Sequence, residues 1–91
     1  MEITQRRVFR GTRGIHLTPT EFRLLEFLMR QEGRVASRHA ILEAVSGPSE
    51  NIEENTLDAF VRLLRRKIDE NEPVKLIHTM RGFGHSLGPE G

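Results

Sequence analysis

The chain has 91 residues, 14 Lys and Arg against 13 Asp and Glu, a formal net charge of +1, and no cysteine, tryptophan or tyrosine. That length closes one small core and no more, and the missing cysteines exclude disulfides and thiolate metal sites. With neither a leader-like nor a membrane-spanning apolar run, the expectation is one cytoplasmic domain over 1–91 with no membrane partner.

In chain order, residues 5–17 alternate loosely. Val8 and Phe9, then Gly11-Thr12-Arg13-Gly14 as a turn, then Ile15 and Leu17, predict a short two-stranded hairpin. Thr18-Pro19-Thr20-Glu21 predicts a helix start, with Thr18 as N-cap, Pro19 in the first helical position and Glu21 closing a capping box. Phe22, Leu25, Leu28 and Met29 keep helical spacing to about residue 32, and Gly33 suits a left-handed C-terminal cap. Ser37 caps a second, shorter helix over 38–46 that carries Ile41, Leu42 and Val45 and stops before Gly47-Pro48. A polar loop over 46–54 holds Glu50, Glu53 and Glu54. The third helix, 54–70, is broken by Asn71-Glu72-Pro73. The tail changes period: Val74, Leu76, Ile77, Thr79 and Met80 predict a strand, Arg81-Gly82-Phe83-Gly84 a turn, and His85-Ser86-Leu87 a returning strand, a hairpin over 74–88.

The third helix carries the strongest chemical signal. Leu57, Phe60, Val61, Leu64 and Ile68 form one apolar stripe. Asn55, Ala59, Arg62 and Arg66 fall on the opposite side, flanked by Leu63, Arg65 and Lys67. A helix that packs by one face and offers guanidinium forks and an amide by the other suits a DNA major groove; the alternative is a solvated charged face. The near-zero net charge argues against a non-specific polyanion binder, so nucleic-acid affinity has to come from segregated charge. Too few aromatics are interleaved with basic residues to stack single-stranded bases, which leaves duplex DNA as the better candidate.

Strands, three helices and a terminal hairpin add up to an α+β winged helix, a helix-turn-helix variant whose hairpin is the wing. Leu17-Thr18-Pro19-Thr20-Glu21-Phe22-Arg23-Leu24-Leu25, Gly33-Arg34-Val35 with Ser37-Arg38, Thr56-Leu57-Asp58, Leu64-Arg65-Arg66-Lys67 and Ile77-His78-Thr79-Met80-Arg81-Gly82-Phe83-Gly84 together resemble the OmpR/PhoB-type DNA-binding domain of bacterial response regulators. The likeness covers nearly all of 15–88.

This resemblance implies sequence-specific binding of double-stranded DNA for transcription regulation, in a two-component phosphorelay with a receiver domain upstream. The third helix would read the major groove, the wing would reach the minor groove, and protomers would sit head to tail on direct repeats. Carried over by position, Asn55, Thr56, Ala59, Arg62, Leu63 and Arg65 match recognition-helix contacts, Thr79 and Arg81 match the wing, and Arg38 matches a phosphate contact; Arg66 joins them from the helix geometry. The family's use of the loop before this helix to touch RNA polymerase makes the acidic 46–54 segment either such a contact or a solvated loop.

The departures from the pattern bear on specificity. Asn55 stands where many members have Arg, Phe60 replaces a frequent His, and Leu63 replaces an Arg that often reads a base. Leu63 cannot hydrogen-bond guanine and is expected to meet thymine methyls or an apolar backbone edge. Ser46 stands in place of Trp and His85 in place of Tyr, and only Met1–Thr4 remain for the first strands of a four-stranded platform, implying a shortened one.

Other chemistry is poorly supported. His16, His39, His78 and His85 have no metal-ligand spacing, and Gly82-Phe83-Gly84 is too short for a phosphate loop. No nucleophile, base or metal set suggests an enzyme, and no cofactor is implied. Asp58 is expected to pair with Arg62 one turn on, and for Arg6, Arg7, Arg10 and Arg13 the alternatives are a neighbouring protomer, phosphate or only water, with water the default expectation. The competing function is a winged helix used for protein recruitment without DNA binding, suggested by the modest net charge, outward Leu63 and the acidic loop.

Overall fold

The computed structural model describes the backbone of residues 2–4 and 54 and the whole of residues 7–46 and 55–89. In chain order the elements are β1 (Glu2–Thr4), β2 (Arg7–Arg10), β3 (Arg13–Ile15), α1 (Pro19–Arg30), β4 (Ala36–Ser37), α2 (Arg38–Val45), α3 (Glu54–Asp69), β5 (Ile77–Met80) and β6 (Gly84–Leu87). The result is an α+β winged helix, with one antiparallel sheet ordered β1-β2-β3 and a second ordered β4-β6-β5.

Two differences from the sequence expectation lie in the first sheet. The expected hairpin is joined by β1, which pairs with β2 through Ile3 and Val8. Its turn is shorter than expected: Gly11 takes φ +62, and Arg13 and Gly14 already belong to β3, with Arg10 paired to Arg13 and Phe9 to Gly14. Val8 turns inward from this sheet and is buried against the helices.

The capping box of α1 forms as its sequence dictates. Thr18 Oγ1 accepts from the Glu21 amide at 3.2 Å, and Glu21 Oε1 accepts from the Thr18 amide at 2.9 Å. The same carboxylate takes Lys67 Nζ at 2.6 Å, tying the start of α1 to α3. Burial works against its charge, but Lys67 and the Thr18 bonds outweigh that and hold Glu21 below the usual carboxylate range. The helix ends at Arg30, two residues earlier than expected, because Glu32 shares the left-handed turn with Gly33, at φ 53 and 85.

Ser37 caps α2 by accepting from the Ala40 amide at 3.1 Å. Ala36 and Ser37 also form β4, a strand not anticipated from the sequence, which pairs with His85 and Gly84 of β6. This short strand roots the wing in the helical body. Leu24, Leu25, Leu28, Ile41, Val45, Leu57, Val61, Leu64 and Ile68 fill the centre, closed by Ile77 and Leu87 from the wing. Burying a Leu or Ile contributes about 1.5–3 kcal/mol each, so the α3 stripe is what fixes that helix's rotation.

Of the N-terminal arginines, Arg10 and Arg13 do not point mainly to water, Arg7 is exposed as expected, and Arg6 lies outside the described residues. Arg10 donates to Ile68 O at 2.8 Å, Asp69 Oδ1 at 2.9 Å and the Val74 carbonyl, and Arg13 donates to Lys67 O and Ile68 O, each at 2.9 Å. Both also reach the Glu72 carboxylate. Two guanidinium groups thus satisfy the last carbonyls of α3 and complement the negative end of its dipole.

Beyond α3 the chain reverses at Asn71, φ 64. The wing strand begins at Ile77 rather than near Val74, because Asp69 takes the Leu76 and Ile77 amides, each at 3.0 Å, and holds that approach against the helix end. Among the described residues no helix is long and apolar enough to cross a membrane.

Candidate nucleic-acid interface

The rotation set by the buried stripe decides which α3 side chains face outward. Asn55, Thr56, Arg62, Leu63 and Arg66 are exposed, with Leu63 at 44%, whereas Ala59 and Arg65 are half-buried. Neither Arg62 nor Arg66 has a hydrogen-bond or ion-pair partner among the described residues. Two charged forks stand ready for an external acceptor.

Three of the other candidates, Arg65, Thr79 and Arg38, are already engaged within the fold. Arg65 Nη2 donates to Thr79 Oγ1 at 2.7 Å, so helix and wing meet through two of the expected contact residues. Arg38, at the start of α2, grips Asp58 with both terminal nitrogens, at 2.6 and 3.3 Å. Asp58 therefore pairs across to α2 instead of with Arg62 along its own helix. The Arg38 hydrogen bond outweighs the opposing effect of burial and, with the Arg38 charge, keeps the Asp58 carboxyl below its ordinary range, while Arg62 adds only a longer-range field. A guanidinium reached from a second helix gains a bidentate geometry that an i,i+4 arginine cannot easily match.

On the wing, Thr79 is exposed on β5 and Arg81 is exposed in the turn, where Gly82 adopts φ 75. Phe83 O accepts from the Arg38 amide at 3.1 Å, fastening the turn to the start of α2. Met80 and Phe83 flank Arg81 and are 52% and 53% exposed. Between α3 and β5 lies a cleft of about 550 Å³, lined by Arg62, Arg65, Arg66, Asp69, Glu70, Lys75, Ile77, His78 and Thr79. Lys75 and His78 are not among the expected contact residues, although His78 belongs to the wing motif and Lys75 lies just before it. Lys75 Nζ is held by Asp69 O at 2.9 Å and His78 Nε2 by Gly88 O at 2.8 Å.

The four histidines are separately engaged or exposed. His39 meets Glu43 at 3.0 Å, and His85 is 2% exposed with Nδ1 at 3.0 Å from Thr79 Oγ1. No group of three or more His, Cys, Asp or Glu fit to hold a metal occurs among the described residues. Ser46, the expected replacement for Trp, is half-buried at the end of α2. Of the acidic 46–54 segment, residues 47–53 and the Glu54 side chain lie outside the described residues.

This geometry has close counterparts among known proteins. A family model described as "Transcriptional regulatory protein, C terminal" matches residues 11–87. The phosphate regulon transcriptional regulatory protein PhoB of Rhizobium meliloti is 46% identical over 81 residues, which is 89% of this chain and 36% of that protein. The response regulator MprA of a Mycobacterium species is 45% identical over 82 residues, 90% of this chain and 36% of that protein. Among solved structures, the DNA-binding domain of the response regulator AdeR, in complex with an intercistronic region, superposes with a TM-score of 0.82 at 26% identity, covering 94% of this chain and 90% of that one. The DNA-binding domain of Bacillus subtilis CssR gives 0.77 at 31% identity, covering 96% of this chain and 98% of that one. The chain spans just over a third of the length of the curated relatives it matches. By the family match and these identities, the chain belongs to the OmpR/PhoB-type C-terminal DNA-binding domains of response regulators, a family of transcriptional regulators.

Proposed function

We propose that residues 1–91 act as one winged-helix domain that binds double-stranded DNA sequence-specifically and regulates transcription, as the effector part of a two-component response regulator. In this proposal α3 lies in the major groove, with Asn55, Thr56, Ala59, Arg62, Leu63, Arg65 and Arg66 toward bases and phosphates, and Arg81 enters the adjoining minor groove beside Thr79. The observation that carries it is the exposure of Arg62 and Arg66, without internal partners, on a helix anchored by its opposite face. Support also comes from the AdeR domain, whose similar fold was solved in complex with an intercistronic region. Arg38, at the start of α2, contributes a phosphate contact. Protomers stand head to tail on direct repeats, and the 46–54 loop touches RNA polymerase.

Leu63 sets this domain apart in specificity. Exposed and apolar beside Arg62, it favours a site with a thymine methyl at its base step. Replacing Arg62 or Arg66 with Ala is expected to cost about 1–3 kcal/mol of duplex affinity for a lost bidentate base contact, with an unchanged thermal midpoint because neither side chain packs in the core. Calorimetry and a duplex-binding titration check this together. Undiminished affinity in both variants, or unfolding of either, contradicts the assignment.

Recruitment of a protein without DNA binding is favoured by one feature, the exposure of Leu63, Met80 and Phe83. A partner retained after nuclease treatment, with no duplex affinity, is the result that would select it.

A further inference from the structure

His85 sits opposite Thr79 on one side and Ala36 on the other in the β4-β6-β5 sheet. Its Nδ1 lies 3.0 Å from Thr79 Oγ1, which accepts from Arg65 Nη2 at 2.7 Å. A buried ring is thus connected through one hydroxyl to a guanidinium on the α3 face. The ring's other nitrogen, Nε2, is buried with no hydrogen-bond partner among the described residues. Whichever nitrogen carries the proton in the neutral ring, only Nδ1 is satisfied, and a second proton would have no acceptor of its own.

We infer that His85 is a positioning residue which, in its neutral form, holds Thr79 and through it Arg65 in the DNA-binding arrangement, so that protonation of the ring releases Arg65 and weakens specific binding. The last step rests on the DNA-binding function proposed above; the coupling of His85 to Arg65 does not.

The physical argument is local. When the ring is neutral, Thr79 can donate its hydroxyl proton to Nδ1 and keep a lone pair for Arg65. When the ring is charged, Nδ1 becomes a donor aimed at the same oxygen that receives the Arg65 guanidinium, and two positive groups converge on one hydroxyl. The charged and titratable groups facing the ring are Arg38 from α2 and Asp58 and Arg65 from α3; Ala36 and Thr79, on the two neighbouring strands, supply no charge. Burial is the largest influence and disfavours the charged ring, Arg38 and Arg65 reinforce it, and Asp58 opposes it, so the histidine is held below its ordinary value. With the folded value below the unfolded value of about 6.5, the unfolded or opened form binds more protons. The arrangement is fully favoured above that pH and loses support as pH falls through it.

The test has one arm without DNA. In the free protein, nitrogen-detected NMR follows the His85 ring and the Arg65 guanidinium from about pH 8 down to about pH 4, a sweep carried below the ordinary histidine range because burial lowers this one, and a ring that stays neutral throughout overturns the proposed switch. The Arg65 resonances are expected to move with the His85 midpoint, and Thr79→Val is expected to abolish that movement. An Arg65 signal that stays fixed while His85 titrates, or one that still follows it in Thr79→Val, overturns the inference. In the second arm, at constant salt, affinity for a selected duplex is expected to fall by up to about tenfold per pH unit below the His85 midpoint, the limit for excluding one proton.

His85→Gln, which cannot titrate, is expected to flatten that profile, whereas replacing His16 and His39 together by Gln leaves the slope. A folded His85→Gln protein that keeps the wild-type slope, or a wild-type protein that binds with no slope, contradicts the inference. Loss of all duplex binding with the NMR coupling intact would instead remove the proposed function and leave the His85–Arg65 linkage standing.

Discussion

Gly84→Ala is expected to destabilise the domain by about 3 kcal/mol or more, at the upper end of the cost of overpacking, and to lower its thermal midpoint by more than about 12 °C at the usual 4–8 °C per kcal/mol for a domain of this size. A Cβ at this position would lie 1.8 Å from Ala36 O and 2.7 Å from Ala36 C. Neither atom is the end of a flexible side chain. Relief therefore requires β4 to move away from β6, and β4 carries the Ser37 cap of α2 and precedes Arg38. Gly82, two residues earlier, has the opposite character. Its φ is +75 but its Cβ position is open, so Gly82→Ala meets only the left-handed penalty of about 1–2 kcal/mol. Thermal denaturation of the two variants separates lack of space from backbone strain. Equal, small losses in both would contradict the close approach of β4 and β6.

Asp69→Ala is expected to cost about 3–5 kcal/mol, the range for removing one partner of a buried ion pair. Asp69 is 2% exposed and its carboxylate receives Arg10 at 2.9 Å and the amides of Leu76 and Ile77, each at 3.0 Å. Removing it leaves a partly buried guanidinium and two backbone donors without their acceptor. It also unties the N-terminal sheet, the end of α3 and the approach to the wing at a single point. Because Arg10 and Asp69 share this network, Arg10→Ala combined with Asp69→Ala is expected to lose less than the sum of the two single changes. Chemical denaturation of the four proteins gives the coupling directly. Strict additivity would show that the pair contributes nothing beyond its separate parts.

Local chemistry was the most legible part of the sequence. Thr18, Pro19 and Glu21 fix the start of α1 within one turn, and the Leu57-Val61-Leu64-Ile68 stripe fixes the rotation of α3, so the exposure of Arg62 and Arg66 followed from spacing alone. Features that depend on distant partners were not legible. The two residues of β4 become a strand only because β6 arrives beside them, and Asp58 finds Arg38 from another helix in place of the neighbour one turn away. Arg10 and Arg13 did leave a signal. Like charges placed opposite each other at the end of a hairpin are unfavourable unless something nearby absorbs them, here the carbonyl end of α3 and the Asp69 and Glu72 carboxylates. The histidine in β6 was noted as a departure from the family's pattern, but its link to Arg65 through Thr79 required the folded sheet.

The central claim is that the unpartnered guanidinium groups of α3 meet the phosphates and bases of duplex DNA. The most direct measurement is the affinity for a duplex selected from a random pool, followed across salt concentration for the wild-type chain and for the Arg62→Ala, Arg66→Ala double variant. A steep linear fall of log affinity with log salt is expected, at about 0.9 per neutralised phosphate, together with weaker binding and a shallower slope in the double variant. A flat salt response, or a wild-type slope and affinity retained without Arg62 and Arg66, would contradict the claim.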